Sequence, residues 1–425
     1  MKRNQFKGIC NPRFDDIRPY YDDEIPAAME RIARSDVFPR LAAYVYPGQP
    51  VEAVRERILA YRTIHEVQHD TMYHVNEQVI SRSITHLTTD GIQHLDPQRQ
   101  YLYVSNHRDI MLDACLLQYI LVRNGFETTE ITFGANLMQH PVVIDVGRAN
   151  KMFRVERPGG DLRQFYRSSR HLSEYIRWCI REKGESVWIA QRNGRTKDGR
   201  DATDQGLIKM LCMSEPQDRV KALAELNIVP VAISYEWEPC DVLKALELCQ
   251  SQYARYVKKP GEDLNSILTG LLQPKGRVHI QLCHPLEEAD FTAFAGLSNS
   301  EYHKAVAELT DGRIKAAYRL WPNNFIAHDM LYGNTRYGKH YTDGQYAAFC
   351  AHLSESLTTG PSPIGEGSDY TRPGLHRPGQ WTGIANSLER ERLREIFLGI
   401  YANPVESLTG ELPHPCASPT GDGSY

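Results

Sequence analysis

The chain has 425 residues, a hydrophobic fraction of 41%, a charged fraction of 24% and a formal net charge of -4. These values are typical of a globular protein with a large core, in one large domain or two, and exclude a disordered chain. The charge is unevenly distributed, because 148–200 contains fourteen Lys/Arg against six Asp/Glu, a local +8 that leaves about -12 elsewhere. A basic segment in an acidic protein usually faces an anion, although a solvated helix face explains part of this excess.

The cysteines and the apolar segments indicate the compartment. The nine cysteines are scattered without a CxxC pair, which favours free thiols in a reducing compartment. The first residues, MKRNQFKGICNPRFDD, lack the apolar core of a signal peptide, and no stretch reaches the ~18–20 apolar residues of a membrane span. We therefore expect a cytoplasmic protein that meets any lipid peripherally, from the membrane surface.

Strand and helix patterns alternate through the middle of the chain. Residues 1–85 have helical periodicity, with a long helix predicted from Val51 to about Val79. Apolar strands then alternate with helices, which predicts an α/β fold with a mostly parallel central sheet flanked by helices. The predicted strands cover 102–105, 130–134, 152–155, 187–190, 228–237 and 277–283.

The remaining chain is predicted to be helical. Helices are expected over 301–318, 341–357 and 385–400, with a Gly/Pro-rich linker over 360–383 and a disordered tail from Pro404. The predicted division is a helical N-terminal region (1–85), an α/β domain (86–330) and a helical extension with a linker and flexible tail (331–425).

One histidine stands where general-base chemistry is expected. The strand 102–105 ends on Asn106 and His107, and a helix with Asp113 follows. The strand fixes the imidazole, and a carboxylate can hold its other ring nitrogen in one tautomer. Asp113 is the predicted partner and Asp109 the alternative. A histidine that merely caps the next helix is the structural alternative.

The helix near 65 contains a different motif. His65-Glu66-Val67-Gln68-His69 matches HExxH, which on a helix puts two imidazoles on one face with a glutamate beside them. No further ligand can be assigned from the sequence, and a chance match is expected among 16 histidines. A zinc-dependent hydrolase on this helix is kept as an alternative function.

Four ordered blocks within 101–240 resemble the glycerolipid acyltransferase family, of the 1-acylglycerol-3-phosphate acyltransferase type. The first is Asn106-His107 with Asp113, one residue later than the usual spacing. The second is FRVER, ending on Arg157. The third is Asn193-Gly194-Arg195 after an apolar strand, and the fourth is IVPVAISYE with Pro230. The closest likeness is to a bacterial branch seen in Bacteroidota.

The resemblance implies an O-acyltransferase of membrane phospholipid synthesis. It would move a fatty acyl group from acyl-CoA or acyl-carrier protein to a lysophosphatidate-like hydroxyl, with His107 as base and no metal, cofactor or nucleic-acid partner. Arginine forks match phosphate oxygens. The implied substrate-binding residues are Asn106, Arg154, Arg157, Arg192, Asn193, Gly194, Arg195 and Lys197.

The third block departs from the family pattern. The usual glutamate is replaced by Asn193 or, on a shifted alignment, by Gln191. An amide can hydrogen-bond a glycerol hydroxyl but has no charge. Two further alternatives follow, an acyltransferase for an amino-acid-containing lipid and a lipid-binding relative without activity.

Overall fold

A seven-stranded sheet forms the centre of the protein in the computed structural model, which describes residues 10–138, 140–156, 161–253, 256–258, 261–359 and 387–409. The strand order is β1-β7-β6-β2-β5-β3-β4. Every pairing is parallel except that of β6 with β7. The strands are β1 (Ile84–Asp90), β2 (Leu102–Ser105), β3 (Glu130–Gly134), β4 (Met152–Val155), β5 (Val187–Ala190), β6 (Ile228–Tyr235) and β7 (Gly276–Leu282).

Helices precede, connect and follow these strands, so the predicted α/β class is confirmed. A π-helical turn, Val67–Met72, precedes the helix that begins at Tyr73, and another, Cys179–Lys183, follows the helix that ends at Trp178. The helices are α1 (Ile25–Arg34), α2 (Phe38–Val45), α3 (Val51–Leu59), α4 (Ile64–Glu66), α5 (Tyr73–Ser83), α6 (Leu112–Arg123), α7 (Pro141–Ala149), α8 (Leu162–Trp178), α9 (Gln205–Cys212), α10 (Arg219–Ala224), α11 (Asp241–Ser251), α12 (Glu262–Leu272), α13 (Glu288–Thr292), α14 (Asn299–Ala317), α15 (Pro322–Tyr332), α16 (Asp343–Thr359) and α17 (Ser387–Thr409).

The sheet register fixes the position of the site. Ser105, the last residue of β2, pairs with Ala190 at the end of β5 and with Val231 of β6. Because parallel strands have their carboxyl ends at one edge, the segments after β2 and β5 emerge side by side. All eight residues of β6 are buried, since hydrophobic clusters cover both faces of the sheet.

The N-terminal helices pack against α7. Ile25, Met29 and Ile32 of α1 share a hydrophobic cluster with Ala149 of α7. The carboxylate of Asp145 on α7 accepts hydrogen bonds across this joint from Tyr20 Oη (2.6 Å), Arg31 Nη2 (2.6 Å) and Arg31 Nε (2.9 Å). Among the described residues, no helix combines the length and the apolar character that crossing a bilayer requires.

The C-terminal helices share a core with α11. Phe349 of α16 and Phe397 and Tyr401 of α17 pack with Ala245 and Cys249 of α11. The packing also brings in α15, which the sequence analysis did not predict. α15 begins at Pro322, and a proline in the first turn of a helix costs no backbone hydrogen bond.

The prediction of a disordered tail from Pro404 is wrong for its first residues. α17 continues through Pro404 to Thr409. Proline removes one helical donor, but Ala402 and Val405 are fully buried, and this packing outweighs the loss. The predicted linker at 360–383 and the residues after 409 lie outside the described residues.

Candidate active site

The structure brings His107 and Asp113 into contact. β2 ends at Ser105, and a short irregular segment leads from it to α6, where Asp113 is the second residue. Nδ1 of His107 lies 2.9 Å from Oδ2 of Asp113. The imidazole remains 13% exposed while the carboxylate is fully buried. The exposed ring can therefore meet a substrate, and the acid behind it is shielded from water.

The environment of Asp113 fixes the tautomer of His107. Oδ2 of Asp113 also accepts hydrogen bonds from the backbone N–H of Arg108 (2.7 Å) and Asp109 (3.0 Å). Oδ1 accepts one from the hydroxyl of Tyr235 (2.8 Å). Because an ionised carboxylate only accepts, Nδ1 must be the protonated ring nitrogen. Nε2 then presents a lone pair, which is what a general base needs.

The additional residue between histidine and acid is absorbed before the helix. If the segment from His107 to Asp113 were helical, six residues would point the acid in a different direction from the five of the usual spacing. The segment between His107 and α6 is not helical, so this count does not apply. The turn instead directs two backbone N–H groups and the imidazole at one oxygen.

Asp109 takes a different position. Its Oδ1 accepts hydrogen bonds from the backbone N–H of Met111 and Leu112 (both 2.9 Å) at the start of α6. Its Oδ2 is buried and has no hydrogen-bond partner among the described residues, and it lies against Gly270 of α12. Asp109 therefore caps the helix that supplies Asp113.

Asn106 lies behind the histidine and is fully buried. Its side-chain amide donates to the backbone oxygen of Ile233 (3.0 Å) and accepts from the Ile233 N–H (2.7 Å). It also donates to Asp201 (3.1 Å). These contacts tie the end of β2 to β6, so they give Asn106 a positioning role.

The polar loop after β5 lies beside His107. The N–H of Thr196 donates to the backbone oxygen of His107 (2.8 Å). The neighbouring Arg195 is half-buried, and its guanidinium lies beside the buried thiol of Cys240. Its Nη1 is buried without a hydrogen-bond partner among the described residues. A buried guanidinium N–H without a partner is costly, so an anionic substrate group would be stabilised there.

The other predicted phosphate ligands are less enclosed. Arg192 is half-buried and Asn193 exposed, while a side chain at Gly194 (φ +77°) would meet open space. Two other predicted ligands form ion pairs: Lys197 with Glu247, and Arg154 with Glu156 (2.7 Å) on the surface. Arg157 lies outside the described residues. Gln191, the other candidate for the missing glutamate, is fully buried.

A buried charge network supports the turn, and the sequence analysis missed it. Arg108 donates to Asp201 (Nη2–Oδ2 2.6 Å) and Glu238 (Nη1–Oε2 3.2 Å), and Lys244 donates to Glu238 (2.6 Å). Burial lowers the pKa of Arg108, but the carboxylates of Asp201 and Glu238 hold it well above its ordinary value. The two acidic partners are 93 and 130 residues away in the chain, so no local pattern reveals them.

The HExxH helix has a geometry unlike that of a zinc protease. His65 and His69 stack with ring centroids 4.0 Å apart. Oε2 of Glu66 instead accepts from the N–H of Arg62 (2.7 Å) and from the N–H and hydroxyl of Thr63 (2.8 and 3.0 Å). Glu66 thus closes a capping box at the start of α4, where it does not face the histidines.

The part of the chain that contains this site is similar to known proteins. Residues 86–234 match the family model described as Acyltransferase. The chain is 28% identical over 258 residues to the glycerol-3-phosphate acyltransferase of Pseudomonas syringae pv. tomato (strain ATCC BAA-871 / DC3000), covering 56% of this chain and 28% of that protein. The corresponding protein of Pseudomonas syringae pv. syringae (strain B728a) gives the same values. The chain thus spans less than a third of the length of these relatives.

Among solved structures, the chain is similar to the 1-acyl-sn-glycerophosphate (LPA) acyltransferase PlsC from Thermotoga maritima. The TM-score is 0.35 and the identity 12%, over 69% of this chain and 96% of that one.

Proposed function

We propose, from the match of residues 86–234 to the family model described as Acyltransferase and from the similarity to glycerol-3-phosphate acyltransferases, that the protein is a glycerolipid acyltransferase. It would transfer a fatty acyl group from a thioester donor to the hydroxyl of a lysophosphatidate-like acceptor. The donor is acyl-CoA or acyl-carrier protein. The observation that supports this reaction most strongly is the contact of a partly exposed His107 with the buried carboxylate of Asp113.

In the proposed reaction His107 acts as general base. The acceptor oxygen attacks the thioester carbonyl carbon as its proton moves to Nε2 of His107, and the C–S bond then breaks. The proton leaves the imidazolium for the departing thiolate, so an ester and a thiol are formed. Asp113 stabilises the transient imidazolium through Nδ1–H. General-base catalysis of this kind contributes roughly 10²–10⁴-fold to the rate.

The acceptor's phosphate is assigned to the loop after β5. Arg195 offers a buried guanidinium nitrogen without a partner, next to the residue whose N–H holds the backbone of His107. Arg192 and Gly194 flank it at the rim. A phosphate held there would bring its glycerol hydroxyl towards the imidazole, which favours a phosphate-bearing acceptor.

A peripheral membrane contact is supported by the start of α8. Leu162 and Tyr166 are 79% and 56% exposed, and Arg163, Arg167 and Arg170 lie on the same exposed turns. This helix follows β4 at the edge of the sheet that carries His107. Exposed apolar residues among arginines are typical of a surface that meets anionic lipid headgroups.

Thiol release by the purified full chain tests the proposal. With acyl-CoA or acyl-carrier protein, we expect release that depends on lysophosphatidate. His107→Ala should lower the rate by about 10²–10⁴-fold while the protein stays folded. His86→Ala, at an exposed histidine on β1, is the matched control and should keep full activity.

The acceptor panel separates the alternatives. Release with an N-acylated amino acid but not with lysophosphatidate or glycerol 3-phosphate would contradict the phosphate acceptor. Lysolipid binding without thiol release would indicate a non-catalytic relative. Full activity of His107→Ala would exclude the proposed base.

A further inference from the structure

A cluster of three potential metal ligands lies outside the candidate active site. His65 and His69 are one helical turn apart, and Glu127 lies in the segment that leads into β3. One nitrogen from each histidine and one carboxylate oxygen of Glu127 all lie within 4.8 Å of one another. Three ligands of two types that suit zinc, two imidazoles and one carboxylate, therefore converge from two separate parts of the chain.

We propose that His65, His69 and Glu127 bind one divalent transition-metal ion, for which zinc is the best-matched candidate. Two imidazole nitrogens and a carboxylate oxygen form a common donor set for zinc, with bonds of about 2.0–2.2 Å. Ligand atoms of a tetrahedral ion lie about 3.3 Å apart at such bond lengths. Small side-chain rotations can close the cluster, because His65 and Glu127 are exposed.

The state of His69 supports the site independently. Its Nε2 is buried and has no hydrogen-bond partner within the described part of the chain. A buried ring nitrogen without a partner is unfavourable, and a metal ion bound at this nitrogen would satisfy it.

The position of the site indicates a structural role. Next to it, Gln68 is hydrogen-bonded to Thr128, the residue after Glu127, and to Asn150 (3.3 Å). An ion bound by His65, His69 and Glu127 would cross-link the N-terminal helices to the α/β domain at this joint. Water would complete the coordination, and Glu66, held in its capping box, would take no part.

Metal analysis of the full chain tests this site. After removal of metal by a chelator and dialysis against zinc chloride, we expect one zinc per chain and a raised unfolding midpoint, because an ion that binds the folded state stabilises it. Cobalt(II) at the same site should give the strong visible absorption of a four-coordinate ion. His69→Ala should weaken zinc affinity by more than about 100-fold. Substitutions of residues that only support the ligands cost about 10–100-fold, so a larger loss is expected of a ligand.

Matched variants decide between this site and adventitious binding. Glu127→Gln should weaken zinc binding while the protein stays folded. His94→Ala removes one of another stacked histidine pair, His94 and His284, whose ring centroids are 3.8 Å apart. It should leave the stoichiometry unchanged. Zinc retained by His65→Ala and His69→Ala, or lost in His94→Ala, would overturn the proposal, whatever the acyl-transfer activity.

Discussion

At the scale of single residues, the carboxylate of Asp113 organises the site. It accepts four hydrogen bonds, from His107, from two backbone N–H groups and from Tyr235, in a fully buried position. Burial raises the pKa of Tyr235, and Asp113 raises it further, so the phenol stays protonated and donates. Asp113 therefore both holds the turn together and orients the imidazole.

Replacing Asp113 by asparagine should separate these two roles. The amide oxygen can take the place of Oδ2 and keep its donors, and Tyr235 can rotate to accept from the amide N–H. The negative charge is lost, so we expect the acyl-transfer rate to fall by about 10²-fold, the lower end of what general-base catalysis contributes. The loss of unfolding free energy should be only ~1 kcal/mol. Acyl-transfer rates and urea midpoints measure the two effects.

Tyr235→Phe is the matched control, because it removes one hydrogen bond and leaves the charge. It should cost about 0.5–1.5 kcal/mol of stability and change the rate far less than Asp113→Asn. Equal rates for the two variants would contradict the role given to the carboxylate.

At the scale of elements, α17 holds the loop that carries Arg195. Arg200 donates to Glu406 (2.7 Å) and Asn403 (2.6 Å), and Asn403 donates to the backbone oxygen of Asp198 (2.6 Å). Gly199 approaches α17 so closely that a Cβ there would lie 2.1 Å from the backbone oxygen of Ile400. The C-terminal extension thus fixes one wall of the candidate site.

Two glycines of this loop form a matched pair. Gly199 and Gly194 have similar backbone angles (φ +81° and +77°), but only Gly199 faces α17. Alanine at either position costs about 1–2 kcal/mol of backbone strain. Gly199→Ala should lose clearly more, because α17 must move away. Denaturant unfolding of both variants measures this difference, and equal losses would contradict a tight contact.

At the scale of the whole molecule, buried polar contacts join the extension to the α/β domain. Asp241, at the start of α11, accepts from Tyr401 of α17 (2.6 Å) and contacts His352 of α16 (2.7 Å). Burial lowers the pKa of His352, but the hydrogen bond and charge of Asp241 outweigh it and raise the pKa above its ordinary value. We therefore expect the docking of α16 to depend on pH.

The direction of this dependence follows from linkage. A histidine whose pKa is raised on folding binds its proton more tightly in the folded state, so it stabilises the fold fully below its ordinary pKa near 6.5. That stabilisation is lost as the pH rises through the raised value. We expect the wild type to lose more stability than His352→Gln between about pH 6 and pH 9. Parallel pH profiles from thermal unfolding would contradict this expectation.

The sequence by itself determined the alternation of strands and helices in the middle of the chain and the position of Asn106 and His107 at the end of β2. Strands 130–134, 152–155 and 187–190 were predicted with the bounds observed, because short apolar runs between turn residues leave little choice of structure. The carboxyl ends of parallel strands share an edge, so the proximity of His107 to the loop with Arg195 also followed from the pattern.

The tertiary structure decided what depends on contacts between distant residues. It made Asp113, not Asp109, the partner of His107. It buried Asn106 between β2 and β6 and paired Arg108 with Asp201 and Glu238. It also kept α17 helical past a proline and brought Glu127 to the histidines of the HExxH helix. Such choices are settled by packing and by the cost of burying polar groups without partners, and these forces act between residues that no local pattern links.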